Sequence, residues 1–294
     1  MPVLLHPAIP KVRRYVYRVL GALNVAFSWR RQTIVLAYHG IGQDEWRFGV
    51  LFDDFCQQIE RVMRVGYQPV KLEEIFRHIE TGATLPKKSF AVTFDDGYRD
   101  VLLVKHYLKK RGIQPAVFVL AEPEAAERNE LGTGRQFLSP REIVELHTAG
   151  WEIGCHSATH ADFSQLDTEA LEREVIRSKN ILEKNLALNI RYFAYPKGFY
   201  DSRIRAAVKK AGYVGALSMD DGFIGSSTDV FAVPRIGVDR THTDKEFDYI
   251  FLPSVVHFRQ FVKAVLSGTR ILRLSADRWL QSSPFIRDRK YKMN

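Results

Sequence analysis

Cysteine is scarce: of 294 residues only Cys56 and Cys155 carry a thiol, the first in an expected helix and the second just ahead of a histidine on an expected buried strand. Free thiols are therefore expected rather than a disulfide, and cysteine usage neither requires nor excludes export. The N-terminus has no membrane-spanning run, because the apolar stretch from Val19 to Trp29 is closed by Arg18 and Arg30 and, at 11 residues, is short of the roughly 20 needed. No small-x-small cleavage pattern follows it before Thr33, which makes a secretory signal peptide an awkward reading. Acidic residues are missing from positions 1 to 33, which hold six bases: Lys11, Arg13, Arg14, Arg18, Arg30 and Arg31. A basic amphipathic helix lying on protein or on an anionic membrane fits such a segment. Internal repeats and low-complexity segments are also absent.

What is present is enough for one packed α/β barrel with extensions: 294 residues, 46% of them hydrophobic. The net charge of +9 is unevenly spread. Residues 257 to 294 contribute +7 and residues 1 to 33 contribute +6, leaving −4 for the chain between them. Basicity belongs to the ends, and Phe258, Phe261, Val262, Val265, Leu266, Ile271 and Leu272 alternate there with Arg259, Lys263, Arg270 and Arg273 as on an amphipathic basic helix. An anionic membrane surface is the favoured partner, and a helix packing on the barrel is the alternative. Nucleic acid is not expected, because no recognition fold or stacking motif accompanies the charge.

Between the ends, short apolar runs alternate with helical stripes. Strands are expected over Thr33 to Tyr38, Phe90 to Phe94, Pro115 to Leu120, Trp151 to Cys155, Ile190 to Tyr195 and Val214 to Ser218. Helices are expected over Phe52 to Val65, Leu72 to Ile79, Tyr98 to Arg111, from Ser139 with Pro140 at its first turn, from Asp167 or Thr168 to Leu186, and over Ser202 to Ala211. This alternation is the signature of an α/β barrel. It divides the chain into a basic N-terminal extension (1–32), a barrel (33–245) and a basic helical C-terminal extension (246–294). The polar stretch Glu122 to Gln136 reads as an excursion over the rim.

Two motifs end in chemistry. The apolar run Phe90-Ala91-Val92-Thr93-Phe94 stops in Asp95-Asp96-Gly97, two carboxylates at a strand's carboxyl end, the edge where α/β folds gather ligands. Neighbouring Asp side chains leave a strand on opposite sides, so one can face a cation while the other reaches another part of the pocket. Taken alone, the tripeptide is also ordinary turn composition. Sixty residues on from Asp96, the strand Trp151 to Cys155 leads into His156-Ser157-Ala158-Thr159-His160. Two neutral imidazoles with one carboxylate are the usual donors of a catalytic divalent site.

On these motifs the sequence resembles the polysaccharide deacetylases of carbohydrate esterase family four. Thr93 to Gly97 is similar to the family's first motif and His156 to His160 to its second, with the resemblance running from about Ile34 to Val238. It implies a distorted (β/α)7-8 barrel and a metal-dependent hydrolase that removes N-acetyl, less often O-acetyl, groups from sugars. By position Asp95 would be the general base and Asp96, His156 and His160 the metal ligands, with Zn²⁺ favoured and Co²⁺ or Ni²⁺ as alternatives. An Ala-Tyr-Pro sequence at Ala194-Tyr195-Pro196 resembles the exopolysaccharide deacetylase branch, and the backbone N–H of Lys197 would be the oxyanion donor.

Two departures follow. The family's third-motif arginine is replaced by Ala194, and Arg235 is the substitute expected to orient Asp95, against a plain surface arginine. The fifth-motif histidine, the usual general acid, is missing from Ile236-Gly237-Val238-Asp239, leaving His39 and His242 as possible donors. The expected activity is N-deacetylation of an amino-sugar polysaccharide or a lipid-linked glycan, by a chain that is cytoplasmic or peripheral at the membrane rather than secreted. A weakly active or inactive glycan-binding barrel and a membrane-surface scaffold are the alternatives. The second Asp-Asp-Gly, Asp220-Asp221-Gly222, is expected to be a rim turn, with Asp220 a secondary substrate contact.

Overall fold

The apolar runs become one curled parallel sheet. The computed structural model describes residues 8–22, 32–42, 46–126, 131, 134–263 and 265. Its strands lie in the order β10 (Ile236–Gly237), β1 (Gln32–Tyr38), β5 (Lys88–Phe94), β6 (Ala116–Val119), β7 (Glu152–Cys155), β8 (Tyr192–Ala194) and β9 (Gly215–Leu217), each parallel to its neighbour. A two-residue strand β4 (Gln68–Pro69) also pairs with β5, and β2 (Gly40–Ile41) pairs with β3 (Gly49–Val50) as a separate ribbon. All seven residues of β1 are buried, as expected of a strand covered on both faces.

The two faces are packed by different partners. Ile34, Leu36, Phe90 and Val92 join Phe55, Ile59 and Val62 of helix α2 (Phe52–Arg64), part of the outer layer. Val35, Ala91, Phe118, Ala194 and Leu217 instead share a cluster with Leu72, Ile75 and Phe76 of α3 (Leu72–Thr81), which plugs one end of the barrel. Phe76 stacks on Tyr192 with ring centroids 4.2 Å apart. The opposite, carboxyl end of the strands is left for the site.

The sheet is curled almost to closure by one extended segment. Val233 pairs with Leu217 of β9, and three residues later Ile236 pairs with Leu36 of β1. Both edges of the sheet therefore meet residues 233–237, and Arg235 lies in the middle.

The other helices are α4 (Lys105–Lys110), α5 (Pro140–Thr148), α6 (Thr168–Glu172), α7 (Ser178–Leu186), α8 (Ser202–Lys210), α9 (Asp244–Ile250) and a last helix, α10, over 253–263. Ser139 caps α5 with a reciprocal Glu142 bond, as its sequence indicated. Two expectations are modified. The helix read from Tyr98 begins as a tight 3₁₀ segment, Arg99–Val104, in which Asp100 accepts the Ile41 N–H at 2.9 Å. The long helix ending at Leu186 is interrupted by a π turn, Arg173–Arg177, between α6 and α7.

The described parts of the basic ends pack on the rest of the chain. The N-terminal helix α1 spans Ala8–Ala22, inside the basic segment 1–33 where an amphipathic helix is expected, and residues 23–31 lie outside the described residues. It docks on α9 through Arg13 to Glu246 at 2.9 Å, and its Leu20 carbonyl accepts the Ser254 hydroxyl at 2.8 Å. Helix α10 is pinned by Arg259 and Lys263, which reach Asp221 at 2.8 and 2.5 Å. Asp221 is fully buried, so the second Asp-Asp-Gly is an anchoring point beneath α10 rather than only a rim turn. Leu266, Ile271, Leu272, Arg270 and Arg273 lie outside the described residues. No described helix is long and apolar enough to cross a membrane.

Candidate metal centre and its surroundings

Asp95 and Asp96 leave the end of β5 in opposite directions. Asp95 remains in the ladder, its N–H donating to the Tyr38 carbonyl, whereas Asp96 takes a left-handed backbone (φ 68°) and turns its carboxylate to the histidines. Asp96 Oδ1 lies 3.5 Å from both His156 Nε2 and His160 Nε2. That oxygen is buried and accepts no hydrogen bond. A buried, unsatisfied carboxylate oxygen is costly unless a cation completes it. Among the described residues this is the one group of three or more such side chains close enough to share an ion.

The imidazoles are prepared as ligands. His156 Nδ1 bonds the Ala194 carbonyl at 2.8 Å, which places the proton there and leaves the Nε2 lone pair facing Asp96. Burial, with the Arg235 charge, lowers His156 to about 4. Burial, then His156 and His39, lowers His160 to about 3. Both rings are thus neutral at pH 7. Burial and the adjacent Asp95 carboxylate push Asp96 well above the usual carboxylate range, a tendency that a bound cation opposes.

A second carboxylate, which the sequence did not single out, shapes the histidine loop. Glu174 projects from the π turn and accepts the N–H groups of Ala158 and Thr159 at 3.1 and 3.0 Å and the Thr159 hydroxyl at 2.8 Å. Ser157, with φ 77°, accepts the His160 N–H on its hydroxyl at 3.0 Å. Only the π turn signals Glu174, since in an uninterrupted helix its register differs.

Asp95 is held by Arg235. The guanidinium makes a two-pronged bond to its carboxylate, Nη1–Oδ1 2.7 Å and Nη2–Oδ2 2.8 Å, and donates through Nε to the Ser218 carbonyl at 3.0 Å. Both side chains are at most 2% exposed. Burial alone would raise the Asp95 pKa, but the Arg235 charge outweighs it and holds the carboxyl well below the usual range.

The remaining expected residues are placed as follows. Lys197 sits in a 3₁₀ turn, Pro196–Gly198, with a left-handed backbone of φ 57°, and its charge helps to lower His160. His39 follows β1, its ring 5.2 Å from Phe48 and 6.3 Å from Trp46. Its Nδ1 is buried without a hydrogen-bond partner, and burial lowers its pKa while the Asp95 charge pulls the other way. His242 is tied to Asp239 by Nδ1 at 3.2 Å. Asp220 accepts the Tyr200 and Ser218 hydroxyls at 2.8 and 3.1 Å.

At the carboxyl end of the parallel sheet, the Asp-His-His donor set could hold a divalent ion, with a second aspartate held separately beside it. Residues 82–216 match the family model described as polysaccharide deacetylase, and it is to that family that this segment of the chain is similar. The Bacillus subtilis (strain 168) protein YxkH is 22% identical over 205 residues, covering 69% of this chain and 70% of that one. The poly-β-1,6-N-acetyl-D-glucosamine N-deacetylase of Escherichia coli (strain K12) is 22% identical over 253 residues, covering 73% of this chain but 38% of the longer relative. Among solved structures, IcaB from Ammonifex degensii superposes with a TM-score of 0.64 at 24% identity, over 78% of this chain and 97% of that one. That likeness bears on the fold. His39 and Arg235 both lie outside the matched segment.

Proposed function

We propose that the chain is a metal-dependent hydrolase that removes N-acetyl groups from an amino-sugar polysaccharide or lipid-linked glycan. The observation that carries this reading is the unsatisfied Asp96 oxygen set against two neutral histidines, with Asp95 held beside it by Arg235. Asp96, His156 and His160 would hold the ion, Zn²⁺ by preference and Co²⁺ or Ni²⁺ as alternatives. When bound, such an ion polarises the acetyl carbonyl and acidifies a water.

The chain's own residues do the rest. Asp95, kept ionised and oriented by Arg235, accepts the proton of the attacking water. Its depressed basicity fits a water already more acidic than bulk. The Lys197 backbone N–H is the oxyanion donor, a role set by backbone geometry and worth about 3–4 kcal/mol of barrier. His39 passes the proton that Asp95 has accepted to the departing sugar nitrogen, which restores both groups. It is favoured over His242 because it follows Tyr38, the residue paired with Phe94, and so stands one strand across from Asp95, whereas His242 is bound to Asp239. The chain works at a membrane surface in preference to being secreted, a reading supported by exposed Val12, Tyr15 and Val19 on α1 among exposed Arg14 and Arg18.

The test is acetate release from N-acetylglucosamine oligomers with Zn²⁺, Co²⁺ or Ni²⁺ added, comparing wild type, Asp95→Asn and His39→Ala. Metal-dependent release lost in both variants supports the mechanism. Release that survives His39→Ala removes His39 as the proton donor. Metal bound with no release from any acetylated glycan turns the reading to the glycan-binding barrel.

A further inference from the structure

Beside the metal centre lies a cavity that an aqueous polysaccharide does not need. It occupies about 790 Å³ between α1, α10 and the barrel rim at β10, within the roughly 300–1,000 Å³ typical of small-ligand sites. Its wall is mainly apolar, built by Val12 and Val16 of α1, Phe258 and Val262 of α10, and Phe48 and Met219 of the barrel. His39 is on its wall, following the β1 residue that pairs with Phe94 and so lying beside Asp95. At its outer end the two terminal helices carry exposed apolar side chains: Val12 (61% exposed), Tyr15 (70%) and Val19 on α1, and Phe261 (66%) and Val265 on α10. The cavity thus reaches from the two terminal helices to His39, which stands one strand across from Asp95.

The charges along this cavity are mostly positive. Arg13, Arg47, Arg259 and Lys263 line it against the single lining carboxylate of Asp239. Arg13 is engaged by Glu246, and Arg259 and Lys263 by Asp221. Arg47 is about half exposed and meets Asp239 only at 3.7 Å, so it is the most available of the four to a new anion. A sugar chain offers hydroxyls, which an apolar wall leaves unpaired, whereas a hydrocarbon chain ending in phosphate matches both wall and cations.

Resting on the deacetylase reading, we infer that this cavity seats the hydrocarbon chain of a lipid-anchored amino sugar linked through phosphate, with the acetylated sugar reaching the Asp96–His156–His160 centre past His39. The lipid enters between α1 and α10, whose exposed faces lie on the bilayer. Arg47 takes the phosphate.

The probe is geranylgeranyl phosphate, titrated into the full, metal-loaded protein, with geranylgeraniol, inorganic phosphate and short-chain phosphatidylglycerol as comparisons. Val262→Trp fills the cavity from α10 and Val12→Trp from the exposed side of α1, and the melting temperature of each checks its fold. Wild type binds geranylgeranyl phosphate, both tryptophan variants bind at least tenfold more weakly, and Arg47→Ala weakens the phosphate but not the alcohol. Absence of wild-type binding, equal binding by folded variants, or displacement by phosphatidylglycerol or phosphate as readily as by the prenyl probe overturns the inference. In kinetics, Val262→Trp loses at least tenfold in kcat/KM on prenyl-diphospho-N-acetylglucosamine and nothing on soluble oligomers, whereas parallel losses on both count against the seat. Prenyl binding blocked by the tryptophans, with no acetate released from any substrate, upholds the lipid seat and sinks the deacetylase reading alone.

Discussion

Replacing Glu174 by alanine tests whether the histidine loop is held from a distance. The carboxylate accepts three hydrogen bonds from two consecutive residues between the histidine ligands, at 2.8 to 3.1 Å. Hydrogen bonds to charged groups contribute about 1.5–3 kcal/mol each, and water can replace part of this at a half-buried site. A net loss of about 2–3 kcal/mol is therefore expected, concentrated in the loop. Loss of an outer support of this kind lowers metal affinity by about 10- to 100-fold. The assay is a Zn²⁺ titration against a chromophoric chelator, with melting curves of metal-free protein to separate global unfolding. Glu174→Gln sharpens it, because one side of the amide becomes an N–H₂ facing the Ala158 and Thr159 donors; it is expected to resemble alanine. Metal affinity within twofold of wild type in Glu174→Ala, or a glutamine variant that behaves as wild type, would refute the reasoning.

Arg235→Lys replaces the two-pronged bond by a single ammonium, so Asp95 loses orientation and its pKa rises toward the ordinary range. A kcat about 10²-fold lower is expected, with the acid limb of the kcat/KM profile moved to higher pH because ionised Asp95 is now lost sooner on acidification. Gly154→Ala on β7 would drive a methyl into the Phe118 ring, and an overpacking loss of about 1–3 kcal/mol should appear as a lower denaturant midpoint. Burial alone would raise the Glu246 pKa, but the Arg13 and Thr243 bonds outweigh it and lower it from 4.5. Its stabilisation is present above about pH 4.5 and fades on further acidification, so the melting-temperature gap between wild type and Glu246→Gln should be widest near pH 7 and shrink below pH 4. A gap independent of pH would show that the α1–α9 contact does not depend on that charge.

The strands were legible because a two-faced buried strand leaves an unbroken apolar run, and both ligand motifs stand where such runs end. Opposite directions for Asp95 and Asp96 follow from strand alternation, and the fork to Asp95 comes from Arg235, the expected substitute for the third-motif arginine. Other features had no local signal. The π turn shifts the register of Glu174 by one residue, which periodicity does not register among Leu171, Val175, Ser178 and Leu182. Asp221 looked like turn composition because its partners, Arg259 and Lys263, are about forty residues away and meet it only when α10 packs down. In α1 the apolar face is faint in the sequence, because buried Tyr17 and partly buried Val16 and Leu20 are interleaved with arginines.

The two departures from the family pattern share one structural setting. With Ala194 in place of the third-motif arginine, position 194 offers a carbonyl to His156 and no cation to Asp95. The cation arrives instead on the segment that closes the barrel, where Val233 pairs with β9 and Ile236 with β1, so the guanidinium of Arg235 points inward between two fixed edges. That route occupies the last strand with structure and leaves no histidine there. The neighbouring strand β1, paired with β10 on one side and β5 on the other, ends in His39 beside Asp95. Left-handed backbone at Asp96, Ser157, His160 and Lys197 costs of order 1–3 kcal/mol each, and such strain persists only where surroundings over-determine it. Glu174, the Ser157 hydroxyl and the Ala194 carbonyl supply that constraint on the histidine side. Arg235 supplies it on the aspartate side, and together they hold the donors in place before any ligand arrives.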